Sequence, residues 1–271
     1  MSDRFRLDGK TIVVTGGTGV LGASFIKAIA QSGGRVAVLG RNLPEATSRA
    51  EAICAAGGQA IPVQADVLVE SSLQTAADLI INEWGSIDGL VNAAGGNLPG
   101  AVVDTADDLF SLNIEALKSV YELNLMGTLL PTQVFGRQMA TQNKGSIVNI
   151  SSVSASRALT RVLGYSLAKS GIEAYTRWMA VELANRYGDS IRMNALVPGF
   201  FLTEQNKNLL TMPSGEYTDR AQAIVKHTPF NRLGNPHELE GGLIWLLSDA
   251  ARFVTGTTIA IDGGFSAFSG V

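Results

Sequence analysis

The chain has one cysteine and two histidines in 271 residues, and only 17% of its residues are charged. A single thiol, Cys54, leaves no internal disulfide, so the core is expected to hold by packing alone, as in a reducing compartment. With His227 and His237 the only histidines and no Cys/His cluster, no catalytic metal site is expected. The charged fraction lies below the roughly 25% of ordinary soluble domains. The net charge of -3 and pI near 5.5 provide no global positive field for nucleic acid or anionic lipid. No apolar run approaches the ~20 residues of a membrane span, and the polar opening Met1–Lys10 lacks the apolar core of a secretory signal. Nor does any polar linker, low-complexity tract or internal repeat divide the chain. These absences predict one cytoplasmic domain over 1–271, with no membrane or nucleic-acid partner.

What is present is 46% hydrophobic residues, 30 glycines and a mean hydropathy of +0.18. Combined with the low charge, this predicts much surface buried against other subunits. Short apolar runs alternate with longer helical patterns. Strands are expected at Thr11–Thr15, Arg35–Leu39, Ala60–Gln64, Gly89–Asn92, Ser146–Ile150, Arg192–Val197 and Thr258–Ile261. Helices are expected near Val20–Ser32, Glu45–Ala56, Ser71–Trp84, Ile114–Thr141, Gly164–Tyr187 and Pro236–Ser248. Most of the strands lack strict apolar/polar alternation, which suits burial on both faces. Repeated βα units with right-handed crossovers predict an α/β fold with a doubly wound parallel sheet of about seven strands and helices on both faces. The stretch 200–235 interrupts the rhythm and is a candidate substrate lid, because loops beyond strand ends line the ligand crevice of such sheets.

Thr15-Gly-Gly-Thr-Gly-Val-Leu-Gly22 follows the first strand and opens the first helix, with Gly17, Gly19 and Gly22 in G-x-G-x-x-G spacing. Residues without side chains permit a tight turn and close approach of a pyrophosphate to the positive helix N-terminus. Gly16, Gly17, Thr18, Gly19, Val20 and Leu21 are therefore candidate dinucleotide contacts in a single-domain Rossmann fold. At the end of the second strand stand Gly40, Arg41 and Asn42, where an acid would bind the adenosine ribose and repel a 2'-phosphate. Its absence, with a cation following, favours NADP(H) over NAD(H); the alternative is a solvated Arg41 and an NAD(H) site without an acidic partner. Asp66 and Val67 after the third strand are candidates for the adenine ring, or Asp66 caps the next helix. Asn92, Ala93, Ala94 and Gly95 after the fourth strand offer small residues beside a ribose, or simply a close-packed turn.

Tyr165 and Lys169 are four apart, hence one turn apart on one face of a helix. An ammonium beside a phenol favours the phenolate that acid–base chemistry near neutral pH requires. Ser152 lies 13 residues before Tyr165, and Asn124 lies 28 before Ser152. This set resembles the short-chain dehydrogenase/reductase family over essentially the whole sequence, from the glycine turn to Ile261-Asp-Gly-Gly264. The resemblance implies that Tyr165 transfers a proton while the nicotinamide transfers hydride, that Ser152 polarises the substrate oxygen, and that Lys169 lowers the Tyr165 pKa and holds the nicotinamide ribose. It also implies that Asn124 retains a relay water, beside the reading of Asn124 as an amide satisfying a helix kink. Pro198-Gly199 followed by Thr203 is similar to the family's nicotinamide-binding stretch. In the single-domain branch the turn reads Thr-Gly-x-x-x-Gly-x-Gly, whereas here Val20 occupies the middle glycine position and Gly19 stands one earlier. Which N–H groups touch phosphate is thereby left open.

Within that family, Gly95–Gly100, Phe201–Lys207, His227–Pro236 and Gly263–Val271 resemble the D-mannonate oxidoreductases, also called fructuronate reductases. The resemblance implies interconversion of D-mannonate and D-fructuronate. A polyhydroxy carboxylate needs hydrogen-bonding groups and a cation. Asn97, Ser152, Arg157, Gln205 and Asn206 are the candidates, with Arg161 a second possible cation and His227 either a ligand or a helix C-cap. Asn97 is equally readable as a turn residue, and both arginines as surface charges. The rival activities are a 3-oxoacyl thioester reductase or a gluconate-type dehydrogenase, and the non-enzymatic alternative is a dinucleotide-binding redox sensor. The long helices at 114–141 and 164–187 are expected to pack against their copies in a homotetramer.

Overall fold

The computed structural model describes residues 3–104, 106–202 and 210–270. Seven strands form one sheet: β1 (Thr11–Thr15), β2 (Arg35–Gly40), β3 (Gln59–Gln64), β4 (Gly89–Asn92), β5 (Gly145–Ile150), β6 (Ile191–Pro198) and β7 (Thr258–Ile261). Their order is β3-β2-β1-β4-β5-β6-β7, and every pairing is parallel. Strand order reverses between β1 and β4, which opens a crevice at their C-terminal ends, where open α/β sheets bind ligands.

The near-continuous apolar runs arise because both faces are covered. Ile12 and Val14 of β1, with Val36 and Val38 of β2, pack on α1 (Val20–Gln31) through Phe25, Ile26 and Ile29. Val13, Ala37 and Leu39 point the other way, toward α3 (Glu70–Trp84) and α5 (Gly127–Gln142) through Leu73, Ile80, Phe135 and Met139. Both sets of strand residues are apolar, so the period-2 alternation of a half-exposed strand is absent. Pro62 is tolerated within β3 because that strand lies at the sheet edge. α2 (Leu43–Ala55) follows β2, with the Asn42 side chain accepting from the Glu45 N–H as its N-cap.

One helical expectation requires correction. The stretch 114–141 is not a single helix: α4 (Ile114–Tyr121) and α5 are separated by a π-helical turn over Glu122–Met126. The Asn124 amide donates to the Val120 carbonyl at 2.8 Å, satisfying an acceptor where the helical ladder widens. α6 (Leu163–Tyr187) runs unbroken for 25 residues. Beyond β6, α7 (Asp219–Lys226) is capped by Thr218, and α8 (Glu240–Leu247) is preceded by a 3-10 turn over Pro236–Leu239. Leu210, Ala221, Ile224 and Leu233 make a small core of their own under this region. No described helix is long and apolar enough to cross a membrane.

Candidate active site

The crevice holds a cleft of about 530 Å³ whose described lining includes Ser152, Tyr165, Lys169, Asn97, Pro198 and Gly199. β5 ends at Ile150 and delivers Ser152 from the following loop, while α6 begins at Leu163 and presents Tyr165 and Lys169 from its first two turns. Tyr165 and Lys169 thus lie one turn apart on the same helix. The Lys169 ammonium donates to the Ile150 carbonyl at 2.8 Å and lies 5.2 Å from the Tyr165 ring centroid. Burial lowers the Lys169 pKa to about 8. Burial also raises the Tyr165 phenol above its usual value, while a hydrogen bond with Ser152 acts in the lowering direction. In this state Lys169 faces the ring of Tyr165 and a backbone carbonyl, and Tyr165 stands protonated at neutral pH.

Asn124 is fully buried behind the β4 loop, where it exchanges hydrogen bonds with Gly96: the Gly96 N–H donates to Oδ1 at 3.1 Å and Nδ2 donates to the Gly96 carbonyl at 2.7 Å. A Cβ on Gly95 would stand 2.5 Å from Asn124 Oδ1. Asn124 therefore braces the loop that forms the cleft wall, and the π turn is what carries its side chain there.

The glycine turn fits a dinucleotide pyrophosphate. α1 has Gly19 as its N-cap with no side-chain cap bond, and Gly16, Gly19, Val20 and Leu21 line the cleft. The helix N-terminus thus faces open space rather than a capping hydroxyl, the arrangement that receives a phosphate. Gly16 has φ +65, and a Cβ there would stand 2.8 Å from three backbone atoms of Ala93 and Ala94; a Cβ on Gly22 would stand 2.1 Å from the Gly16 carbonyl oxygen. Gly19 is less constrained, its nearest obstacle being the Gly16 carbonyl at 3.2 Å. The tightest positions are those the single-domain turn pattern shares with this protein, so Val20 in place of the middle glycine leaves the packing intact.

Several expected contacts have other work. Gly17 packs beneath the turn, where its Cβ would meet Val38 at 3.0 Å, and Thr18 stands over Gly40, where a Cβ would meet its hydroxyl at 2.7 Å. Arg41 and Asn42 are exposed, with Asn42 engaged as the α2 cap. Asp66 closes a local turn, accepting from the Leu68 N–H at 2.9 Å, and does not cap α3, whose N-cap is Val69. Val67 is a buried core residue packed against Gly127. Asn92 is 1% exposed and donates to Thr132 and Asn149, each at 2.9 Å, so its amide ties β4 to β5 and α5 and does not enter the cleft. Ala93 and Gly95 do line the cleft, and the Ala93 and Ala94 N–H groups donate to the Thr15 hydroxyl.

On the substrate side Asn97 is exposed at the cleft. The Arg157 guanidinium donates instead to the Ser266 carbonyl and lines a neighbouring hollow with Arg161, which is paired with Asp104 at 2.5 Å. His227 is an exposed helix-end residue whose Nδ1 lies 2.8 Å from the Ala223 carbonyl. Thr203, Gln205 and Asn206 lie outside the described residues.

Two functional candidates escaped the sequence. Arg49 of α2 donates to the Gly17 and Gly19 carbonyls at 2.8 and 2.6 Å while paired with Glu45 at 2.7 Å. The Glu45–Arg49 spacing is readable as a helix pair, but nothing local announces a bond spanning 30 residues. Arg220 of α7 lines the cleft, and no motif distinguishes it from Arg232, the other arginine of the 200–235 stretch.

Residues 19–266 match the sequence family described as enoyl-(acyl carrier protein) reductase. Over 274 residues the chain is 40% identical to the uncharacterized oxidoreductase UxuB of Bacillus subtilis (strain 168), with 98% of each covered. Among solved structures it is similar to a protein from Haemophilus influenza assigned as a D-mannonate oxidoreductase, with bound NAD, at TM-score 0.92 and 37% identity, covering 98% of each chain. It is also similar to a gluconate 5-dehydrogenase from Burkholderia cenocepacia J2315 in complex with NADP and tartrate, at TM-score 0.86 and 30% identity, covering 98% of each chain. The chain belongs to the short-chain dehydrogenase/reductase family and is an NAD(P)-dependent oxidoreductase acting on CH–OH groups.

Proposed function

We propose that the protein interconverts a secondary alcohol and a ketone on a sugar acid, with D-mannonate and D-fructuronate as the pair. The observation that carries this reading is the cleft itself: Ser152 and Tyr165 share it with Lys169 and Arg220, and its described lining contains no carboxylate. Two cations without a fixed anion suit an anionic polyol beside a dinucleotide. The similarity to the structure assigned as a D-mannonate oxidoreductase supports the choice within that class.

The dinucleotide, when bound, supplies the hydride acceptor or donor for the carbinol carbon. In the reducing direction the Tyr165 hydroxyl gives its proton to the carbonyl oxygen, and in the oxidising direction it takes the alcohol proton. The Ser152 hydroxyl donates a hydrogen bond to the same oxygen and steadies the charge that develops there. Lys169, whose ammonium lies over the Tyr165 ring, would hold the ribose hydroxyls of a bound dinucleotide and favour the phenolate by its charge. Asn124 keeps the Gly95–Gly96 wall in register and retains a water for proton relay. NADP(H) is favoured over NAD(H) because Gly40 offers no acid and Arg41 is exposed beside it; a side chain at position 40 would also crowd Thr18.

The 200–235 stretch acts as the lid of a single domain, contributing Phe200, Phe201 and Arg220 to the cleft. α4 and α6 leave Ile114 55%, Leu167 55%, Trp178 61% and Val181 59% exposed, an apolar surface suited to a second copy of the protein. This surface supports assembly of copies, which we propose to be a homotetramer, and a monomeric mass by light scattering at micromolar concentration would refute it.

The deciding experiment follows reduced-nicotinamide absorbance with NAD+ or NADP+ against D-mannonate, D-gluconate and other aldonates, and with D-fructuronate or a 3-oxoacyl thioester in reverse. Turnover confined to mannonate and fructuronate, faster with the phosphorylated cofactor, is expected. Activity on the thioester alone would overturn the substrate reading.

A further inference from the structure

A sugar acid needs a partner for its carboxylate, and neither arginine of the Ser152–Tyr165 loop provides one within the cleft. Arg157 is exposed and engaged with the Ser266 carbonyl. Arg161, held in the left-handed region at φ 76, accepts the Val103 N–H at its carbonyl and is paired with Asp104.

The guanidinium that does line the cleft is Arg220. It occupies the first turn of α7, half-buried, beside Ala221. Ala221 and Ile224 are buried in the small core with Leu210 and Leu233, which fixes the rotation of α7 about its axis. The neighbouring position is turned by about 100° from that core, and Arg220 there lines the cleft that also holds Ser152 and Tyr165. Arg220 has no hydrogen-bond or ion-pair partner among the described residues. Burial and the like charge of Arg161 both disfavour its charged form. A partly desolvated guanidinium, near another cation and without a counter-ion, gains by taking an anion.

We propose that Arg220 holds the carboxylate of the substrate in the cleft and thereby orients the carbinol carbon toward Ser152 and Tyr165. The proposal rests on the sugar-acid reading given above. The planar fork of a guanidinium matches both oxygens of a carboxylate, so it sets direction as well as charge. Because Arg220 rides on α7, which has its own small core, the bound carboxylate also ties α7 to the catalytic wall. Lysine at this position would keep the charge and lose the fork.

The test compares wild type, Arg220→Gln and Arg220→Lys in D-mannonate oxidation at saturating dinucleotide. Tartrate serves as a competitive probe, reduced dinucleotide is titrated by fluorescence, and thermal unfolding checks that each variant is folded. Arg220→Gln is expected to raise the KM for D-mannonate and the tartrate inhibition constant in parallel, roughly 10- to 100-fold. Dinucleotide affinity should stay within about twofold, and Arg220→Lys should recover part of the KM. Unchanged KM and tartrate inhibition in Arg220→Gln, with wild type active on mannonate, would overturn the role of Arg220 and leave the sugar-acid reading standing. A parallel fall in dinucleotide affinity would assign Arg220 to the cofactor and overturn it as well. A wild type inert on every aldonate and active on a 3-oxoacyl thioester would overturn the sugar-acid reading, and this proposal with it.

Discussion

Replacing Gly22 with alanine tests the geometry of the dinucleotide turn most directly. The added Cβ would stand 2.1 Å from the Gly16 carbonyl oxygen and 2.9 Å from both Gly16 C and Gly17 Cα, whereas carbon and oxygen need about 3.3 Å. All three obstacles are backbone, so no rotamer change relieves them, and either the turn or the start of α1 must move by about an ångström. Overpacking of this kind costs about 1–3 kcal/mol, offset by up to ~1 kcal/mol because alanine favours a helix more than glycine does. A net loss of about 1–2 kcal/mol lowers the melting temperature of a protein this size by about 2–8 °C. The displaced segment is the one that meets the pyrophosphate, so dinucleotide affinity is expected to fall at least about tenfold.

Gly19→Ala is the control. Gly19 has φ -82, and its Cβ would meet only the Gly16 carbonyl, at 3.2 Å. Without ligand this variant should unfold like wild type, any loss being confined to dinucleotide binding. Thermal unfolding without ligand and fluorescence titration with reduced dinucleotide separate the two effects. The reasoning is refuted if Gly22→Ala matches wild type in both measurements, or if Gly19→Ala loses as much stability without ligand.

Tyr165→Phe is expected to lower turnover by at least about 10²-fold while dinucleotide titration is preserved; unchanged turnover would sink the proton-transfer role. Arg49→Met removes two donors from the glycine-turn carbonyls and should weaken dinucleotide binding by roughly 5- to 50-fold, and an affinity equal to wild type would show that the turn holds its shape unaided. Lys169 has a folded pKa of about 8 against an ordinary 10.5, so between those values the unfolded state binds more protons. Its buried charge therefore costs stability below about pH 8, and this cost is relieved as pH rises toward 10.5. Denaturant unfolding of the ligand-free protein should show wild type gaining stability relative to Lys169→Met across that window, and parallel curves would contradict the burial argument.

The strands were readable because each is a local run of apolar residues between turn-forming ones, and burial on both faces removes the need for long-range information to recognise them. Tyr165 and Lys169 were readable for a similar reason: a helix places residues four apart on one face whatever surrounds it. Ser152 was legible through the resemblance to the family, by its spacing of 13 residues before Tyr165. The break over Glu122–Met126 was less legible, since it depends on the Asn124 amide bonding to Val120 in its own helix and to Gly96 of another element.

The sequence by itself determined the α/β class, the strand positions and the one-turn spacing of Tyr165 and Lys169, all of which depend on periodicities within a few turns of backbone, while Ser152 was picked out by the family resemblance. Tertiary structure decided which groups those elements meet. It brought Arg49 to the glycine turn and Arg220 to the cleft, sent Arg157 to the Ser266 carbonyl, and buried the Asn92 side chain of β4 against β5 and α5. A residue's neighbours across about 30 or more positions are set by how layers pack and which face of a helix is buried, and no local pattern encodes that rotation. Of the glycines in the turn, Gly22 is set apart only because α1 descends directly onto the Gly16 carbonyl.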